Sequence, residues 1–188
     1  MTRTATTRNG IDLDALQATI AAIEEDAGIG AFTFRAASAW RGGTHNAGRI
    51  GGFAHAGSED TSRRQSFLLE GDEPSVLLGT DQGPNAVELL LQALAFCYAV
   101  GYAANAAARG IDLTSMEYEV EGDIDVRAFL GQAGPRAGFS AIRARAIVSS
   151  SNASEAELTE LCRFVQETSP VRDCLVNPVP VDTVLEVR

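Results

Sequence analysis

The first third of the chain begins with a helical pattern and continues with alternating ones. Leu13, Leu16, Ile20 and Ile23 recur at intervals of three or four residues within residues 11–27. This spacing places them on one face of an N-terminal helix. Beyond two glycines, apolar and polar residues alternate, as is typical of strands. Three strands are predicted, at residues 31–40, 49–54 and 66–70. Glycine-rich or polar turns separate them.

The longest apolar run of the chain, residues 86–109, predicts a buried helix. Asn85 suits the N-cap, Glu88 completes a capping box, and Gly110 suits the position after the last turn. The run is apolar nearly all round, which predicts burial on most faces. Its polar residues and many alanines favour a core helix over a membrane span. One small sheet gives such a helix too little cover, so we expect a second copy of the chain, a homodimer.

The remaining patterns complete an α+β fold. Two long alternating runs, residues 113–126 and 139–150, predict an antiparallel pair of strands with one polar face. Residues 151–168 predict an amphipathic helix that is capped by Ser154 or Asn152. Residues 179–187 predict a closing strand. Strands in runs, interrupted by helices, are typical of α+β proteins and not of parallel sheets.

Charge and composition exclude several functions. The net charge of −10 argues against nucleic acid and anionic membranes as partners. All 15 cationic residues are arginine, which excludes lysine Schiff bases and Walker-type phosphate binding. With only two histidines, a histidine-rich metal site is not expected, and no cofactor is predicted. The polar N-terminus lacks a signal-peptide pattern, which predicts a cytoplasmic protein.

Three cysteines carry the candidate chemistry: Cys97, Cys162 and Cys174. Their odd number and wide spacing are not those of a disulfide scaffold or a zinc module. Cys97 lies within the apolar helix, where a free cysteine is often a small core residue. Cys162 lies beside the apolar stripe of its helix and is predicted to pack. Cys174 lies in a segment bracketed by prolines, predicted as a loop, where a bystander thiol is the simplest interpretation.

For Cys97 to react, its thiolate must be stabilised from outside its own helix. It lies about three turns beyond Asn85, too far for the helix dipole, and Glu88 falls on the opposite face. Its neighbours are small or apolar, so an arginine from elsewhere is needed. An apolar pocket with a thiol and a guanidinium suits an organic hydroperoxide, which would oxidise the thiolate to a sulfenic acid. His45 or His55 could instead pair with Cys97 for hydrolase-type catalysis.

The segment LLGTDQGPNAVELLLQALAFCYAVGYAANAAARGIDL resembles the signature of the OsmC/Ohr family, the osmotically inducible and organic hydroperoxide resistance proteins. In that family, a motif similar to N-P-E-E-L-L begins a helix and precedes a buried cysteine. The pieces GGTH, GSEDTSR, EVEGDIDVRAFLG and SPVRDCLVNPVPV agree in order, so the similarity covers residues 31–187. It implies antiparallel sheets wrapped around long buried helices in an intertwined homodimer, with active sites at the interface. Residues 1–188 would form one domain, with residues 1–30 a helical extension of the core, residues 31–188.

The resemblance also implies a redox chemistry. The best-studied members of the family reduce organic hydroperoxides with a buried peroxidatic cysteine, a nearby Arg and Glu, and a resolving cysteine. Cys97 matches the peroxidatic position. The resolving cysteine normally opens a CPV motif, where this chain has Ser169. The acidic residue two positions after the helix-start Asn is replaced by Val87, which leaves Glu88.

These departures leave three hypotheses. Cys174 could resolve Cys97, an external thiol could reduce Cys97 directly, or the chain could be a non-catalytic ligand-binding protein that has lost the activity. Arg41 is the first candidate for the activating arginine, followed by Arg35 and Arg63. The preferred prediction is a cytoplasmic, homodimeric, thiol-dependent peroxidase, an oxidoreductase acting on organic hydroperoxides in bacterial oxidative-stress defence.

Overall fold

A computed structural model of the chain describes residues 6–187, which form an α+β fold. They group into two compact units, one built mainly from Asp12–Leu90 and the other from Arg8–Ile11 with the residues from Leu91 onward. The elements in chain order are β1 (Thr7–Arg8), β2 (Ile11–Asp12), α1 (Leu13–Glu25), β3 (Phe32–Thr33), β4 (Ala36–Gly42), β5 (His45–Ile50), β6 (Phe53–His55), β7 (Ser58–Asp60), β8 (Phe67–Gly71), α2 (Ala86–Ala108), β9 (Leu113–Asp123), β10 (Ala141–Ser150), α3 (Glu155–Thr168) and α4 (Pro170–Val176).

The first unit combines α1 with two small antiparallel sheets. Asp12 caps α1, because its carboxylate accepts the Ala15 N–H at 3.0 Å. One sheet has the strand order β3-β6-β7 and the other has β4-β5-β8. The predicted strand 31–40 is therefore two strands in different sheets, and part of the polar segment predicted as a turn between strands 49–54 and 66–70 forms β7. Alternation alone indicates extended backbone but not the sheet that each part joins.

Helix α2 begins and ends where the sequence predicts. Its capping box is formed, since the Asn85 side chain accepts the Glu88 N–H at 2.9 Å and Glu88 accepts the Asn85 N–H at 2.8 Å. Burial on most faces is wrong for the single chain, because Phe96 is 65% and Val100 70% exposed. By length and composition α2 is the one described helix that could cross a membrane, but core helices pass the same test.

The second unit packs α2 and α3 against a long antiparallel pair of strands. β9 and β10 pair from Ala141 opposite Asp123 to Ser150 opposite Leu113, with one irregularity at the Ser149–Ser150 end. Of the two predicted N-cap candidates, Ser154 and Asn152, it is Ser154 that caps α3, and it forms a complete capping box. The buried core of this unit comes from the inner faces of the helices and the chain just after α2: Leu94, Tyr98, Tyr102, Ala106, Ile111, Leu161 and Val165.

Two predictions for the C-terminal segment are wrong. Residues 179–187 form no strand and no helix. The supposed loop that carries Cys174 is the short helix α4, which Ser169 caps and Pro170 begins. Proline is favoured in the first turn of a helix, where its missing N–H would have no partner. The Ser-Pro pair therefore starts a helix here instead of marking a loop.

Candidate functional site

Cys97 and Ser169 lie in contact, although 72 residues separate them in the chain. Cys97 lies at the middle of α2, and Ser169 is the junction residue between α3 and α4. The Cys97 Sγ is 3.1 Å from the Ser169 Oγ. Cys97 is half-buried, which corrects the expectation of a buried thiol, whereas Ser169 is only 5% exposed. The position where the family resemblance implies a resolving cysteine is thus beside Cys97, and a hydroxyl occupies it.

The Ser169 hydroxyl is oriented by its role as a helix cap. Its oxygen accepts the Arg172 backbone N–H at 3.2 Å, the contact expected of an N-cap serine. A hydroxyl has one proton and two acceptor lone pairs. With one lone pair engaged by Arg172, the proton remains available to the sulfur of Cys97.

Close approach of α2 and α3 holds the two groups together. A Cβ placed on Gly101 would lie 3.3 Å from Cγ1 of Val165. The absence of a side chain at Gly101 therefore lets α3 pack closely against α2. The Tyr102 hydroxyl donates to the Leu158 carbonyl oxygen at 2.8 Å and ties the same helices together. Because Ser169 directly follows α3, this packing determines the distance from its hydroxyl to Cys97.

Cys97 and Ser169 both line a cavity of about 450 Å³. Its volume is in the range of ligand pockets. Besides Cys97, its lining is mostly apolar, has the neutral polar residues Asn105, Thr168 and Ser169, and includes no charged residue; the apolar part is Phe96, Val100, Gly101, Val165 and Pro170. Both Asn105 and Thr168 donate to carbonyl oxygens of their own helices, at 2.7 and 2.8 Å. The cavity therefore suits a neutral, largely apolar molecule.

Three tyrosines of the second unit, Tyr98, Tyr102 and Tyr118, have raised pKa values. Burial raises the pKa of Tyr98, and the positive charge of Arg172 opposes that shift. Burial also raises the pKa of Tyr102 to about 12 and raises that of Tyr118. All three phenols are therefore protonated at neutral pH. Arg172 is half-buried, and its guanidinium forms no hydrogen bond or ion pair within residues 6–187.

The other two cysteines do not line the cavity. Cys162 packs against the core of the second unit, as the sequence pattern predicts, and its sulfur accepts a hydrogen bond from Gln166 at 3.4 Å. Cys174 is exposed on α4, five residues beyond Ser169. All three thiols are free.

The candidate arginines and histidines lie in the first unit. Arg35 forms a bidentate ion pair with Glu59 at 2.7 and 2.8 Å. Arg63 donates to the Gly51 carbonyl oxygen and lies 5.1 Å from the ring centre of Phe53. Arg41 is exposed, and no described residue forms an ion pair or a side-chain hydrogen bond with it.

Both histidines have local partners. The ring of His45 contacts the Glu70 carboxylate at 2.7 Å, and that of His55 contacts the Ile29 carbonyl oxygen at 2.7 Å. These contacts account for both rings within the first unit and lend no support to a catalytic histidine.

Asp72 is a buried carboxylate that sequence reasoning missed. It accepts hydrogen bonds from the hydroxyls of Thr44 and Thr80, at 2.6 and 2.7 Å, and from the backbone N–H groups of Glu73, Thr80 and Gln82. The Thr44 hydroxyl, then that of Thr80, and the N–H donors hold the pKa of Asp72 well below its ordinary value. Every donor belongs to the first unit, and the carboxylate organises the chain between β8 and α2. Among residues 6–187, no group of three or more His, Cys, Asp or Glu side chains is placed to hold a metal ion.

Comparison with known proteins identifies the family. A family model described as OsmC-like protein matches residues 79–184, more than half of the chain. The chain belongs to the OsmC-like protein family. The match includes Cys97, Ser169 and the whole cavity lining. No curated protein matches the chain.

Solved structures share the OsmC-like fold at low sequence identity. The OsmC-like protein of Mycoplasma pneumoniae has a TM-score of 0.57 at 19% identity, over 78% of this chain and 89% of its own. A Legionella pneumophila protein described as organic hydroperoxide resistance protein OsmC has 0.53 at 17%, over 77% and 90%. An OsmC-like protein of Vibrio cholerae has 0.50 at 13%, over 74% and 91%. The predicted α+β, OsmC-like architecture is confirmed.

Proposed function

We propose that this OsmC-like chain is a thiol-dependent peroxidase that reduces organic hydroperoxides in bacterial oxidative-stress defence, with Cys97 as the attacking thiol. The observation that carries the proposal is the position of Cys97, which lines a largely apolar cavity and whose sulfur contacts a hydroxyl. Membership of the family supports it, and so does the Legionella relative, which is described as an organic hydroperoxide resistance protein.

The proposed reaction uses the cavity to bind the alkyl part of the hydroperoxide. The Cys97 thiolate attacks the terminal oxygen of ROOH, so that an S–O bond forms and the O–O bond breaks. The RO⁻ that leaves takes up a proton and departs as the alcohol. Cys97 is oxidised to a sulfenic acid, and the hydroperoxide is reduced. An uncharged cavity favours neutral alkyl or aryl hydroperoxides over charged ones, because a buried charge without a partner is strongly unfavourable.

Two thiol cycles could return Cys97 to its reduced state. Cys174 is exposed on α4 and does not line the cavity, so it would have to move to reach Cys97. An external thiol needs no such change, and we favour this one-cysteine cycle with Cys174 as the alternative. Arg41 remains our candidate for the activating arginine, since the guanidinium groups of Arg35 and Arg63 are engaged within their own unit.

We also propose that the chain is a cytoplasmic homodimer. Phe96 and Val100 on α2 are mostly exposed in the single chain, and both line the cavity. Covering them with a second copy would bury apolar area and narrow the approach to Cys97. Size-exclusion chromatography with light scattering tests the dimer, and a monomeric mass contradicts it.

A non-catalytic ligand-binding protein is the second candidate. It is favoured by Ser169, which places an oxygen where a resolving sulfur would complete a disulfide cycle. Such a protein would bind a ligand in the cavity but would not reduce hydroperoxides.

The deciding experiment is mass spectrometry of the reduced protein after treatment with stoichiometric cumene hydroperoxide. Oxygen added to the Cys97 peptide, or a Cys97–Cys174 disulfide, supports the peroxidase and identifies its cycle. Cys97→Ser should abolish consumption of the hydroperoxide, whereas Cys162→Ser, a change in another partly buried thiol, should leave it intact. Slow oxidation of Cys162 or Cys174 with unmodified Cys97 would refute the peroxidase and leave the ligand-binding function.

A further inference from the structure

We propose that Ser169 is a catalytic residue of the Cys97 site, whose hydroxyl stabilises the charged sulfur, and that the oxidised sulfur is then reduced by a low-molecular-weight thiol. The second part rests on the proposed function, and the first does not. The inference is carried by three observations on the same pair of residues: the 3.1 Å contact between Sγ and Oγ, the nearly complete burial of Ser169, and the cavity that Cys97 and Ser169 both line.

The hydrogen bond changes direction with the charge of the sulfur. In the thiol form either atom can donate. In the thiolate form the sulfur has no proton, so Ser169 must be the donor. The hydroxyl is prepared for this, because its oxygen already accepts the Arg172 N–H at 3.2 Å and is held at the start of α4. Hydrogen bonds to charged groups are stronger than those between neutral groups, so the contact favours the reactive thiolate.

The same serine prevents the oxidised sulfur from closing a disulfide at this contact. An oxygen cannot form the S–S bond that a second cysteine would form, and Cys162 and Cys174 do not line the cavity. A sulfenic acid at Cys97 is therefore reduced by a thiol that enters the cavity from outside the protein. A cavity of about 450 Å³ with no charged lining residue suits a small, uncharged thiol.

The steps balance with two equivalents of the external thiol. R′SH attacks the sulfenic sulfur, the S–O bond breaks, and an S–S bond forms between Cys97 and R′ as water leaves. A second R′SH attacks the mixed disulfide, which releases R′S–SR′ and returns Cys97 to the thiol. One ROOH is thus reduced to ROH and water while two thiols are oxidised.

The test separates the hydroxyl from the helix cap. Ser169→Gly removes the hydroxyl while glycine remains an acceptable N-cap, and Ser169→Thr retains both hydroxyl and cap. Ser154→Gly is the matched control, because it makes the same change at the cap of α3, which has no cysteine beside it. The primary measurement is the rate at which iodoacetamide alkylates Cys97 in the reduced protein at neutral pH, followed by peptide mass spectrometry.

We expect Ser169→Gly to slow alkylation of Cys97 by roughly threefold to tenfold, because the attacking sulfur loses the hydroxyl that donates a charge-assisted hydrogen bond to its anionic form, while part of the loss is offset by higher intrinsic nucleophilicity. Ser169→Thr and Ser154→Gly should stay near the wild-type rate. An unchanged rate in a folded Ser169→Gly protein overturns the role of Ser169. If that variant does not fold, Ser169→Ala is measured in the same way. Because alkylation involves no peroxide, this result is independent of the proposed function.

Turnover of cumene hydroperoxide with 2-mercaptoethanol tests the external thiol. The wild-type protein and Cys174→Ser should consume hydroperoxide at the same rate with the thiol, and should stop after one equivalent without it. Loss of turnover in Cys174→Ser would overturn reduction by an external thiol. If Cys97 is not oxidised at all, the proposed function fails, while the alkylation result for Ser169 still stands.

Discussion

Ser169→Cys should convert the observed contact into a disulfide with Cys97. The two side-chain atoms are already 3.1 Å apart, and sulfurs in a disulfide lie about 2.05 Å apart. The groups therefore need to approach by about 1 Å, which side-chain rotation and small helix shifts can supply. If α2 and α3 pack as described, a mild thiol oxidant should suffice to close the bond.

The expected stabilisation follows from the length of the loop that the bond closes. The linked positions are 72 residues apart, and for a loop of this length the chain-entropy relation gives about 4 kcal/mol at 25 °C. With a urea slope of about 1–3 kcal/mol per molar, the unfolding midpoint of the oxidised variant should rise by roughly 1.3–4 M over its reduced form. Strain in the new bond reduces this figure, so it is an upper value.

The assay counts thiols and maps the bond. The variant has one thiol more than the three of the native chain, and diamide should remove two of them. Peptide mapping should join the α2 peptide to the peptide that contains the α3–α4 junction. The matched control adds Cys97→Ser, which should leave the introduced thiol free. A bond from the introduced thiol to Cys174, with Cys97 still free, would refute the geometry of the site.

Three further predictions concern the fold. Leu161→Ala should lower the free energy of unfolding by about 2–5 kcal/mol in a urea titration, because Leu161 is fully buried in the core of the second unit. Gly79→Ala should impair folding, since its Cβ would lie 1.6 Å from the carbonyl oxygen of Glu73, whereas Gly52→Ala, with nothing within 4 Å, should be tolerated by circular dichroism and yield of soluble protein. The folded-state pKa of Asp72 lies below its ordinary value of 3.8, so the stability that it contributes is complete above that value and falls as the pH drops below it. Asp72→Asn should therefore be less stable at pH 7 and lose less stability between pH 5 and 2 than wild type; equal acid slopes in urea titrations would contradict this.

Features determined by neighbouring residues could be predicted from the sequence. The capping box of Asn85 and Glu88 depends on two residues three positions apart, and its hydrogen bonds are present. The capping box at Ser154 and the first and last residues of α2 could be predicted for the same reason. The start of α4 is also local, since serine is a favoured N-cap and proline is favoured in the first helical turn. The two prolines around Cys174 nevertheless predict a loop as well, because proline is equally common in turns, and this prediction is wrong.

Features that depend on distant segments could not be predicted in this way. Asp72 accepts hydrogen bonds from the turn after β4 and from the connection to α2. No residue spacing in the sequence predicts that these donors lie close together. The alternation in residues 179–187 predicted a strand, but a strand needs a partner, and these residues have none among those described. The exposed Phe96 and Val100 show the same limit, since an apolar sequence indicates a need for cover but not what supplies it.

The serine at the α3–α4 junction shows why fold and chemistry separate at this site. Serine is among the favoured N-cap residues, and Ser169 forms the cap contact with the Arg172 N–H. Nothing about starting α4 therefore requires a cysteine there, and the family fold persists with serine in its place. The same replacement of cysteine by serine does alter the proposed chemistry. The atom beside Cys97 decides whether the oxidised sulfur forms a disulfide or remains available to a thiol from outside. Ser169 thus serves the fold through its oxygen lone pair and the site through its proton, and only the second role requires Cys97.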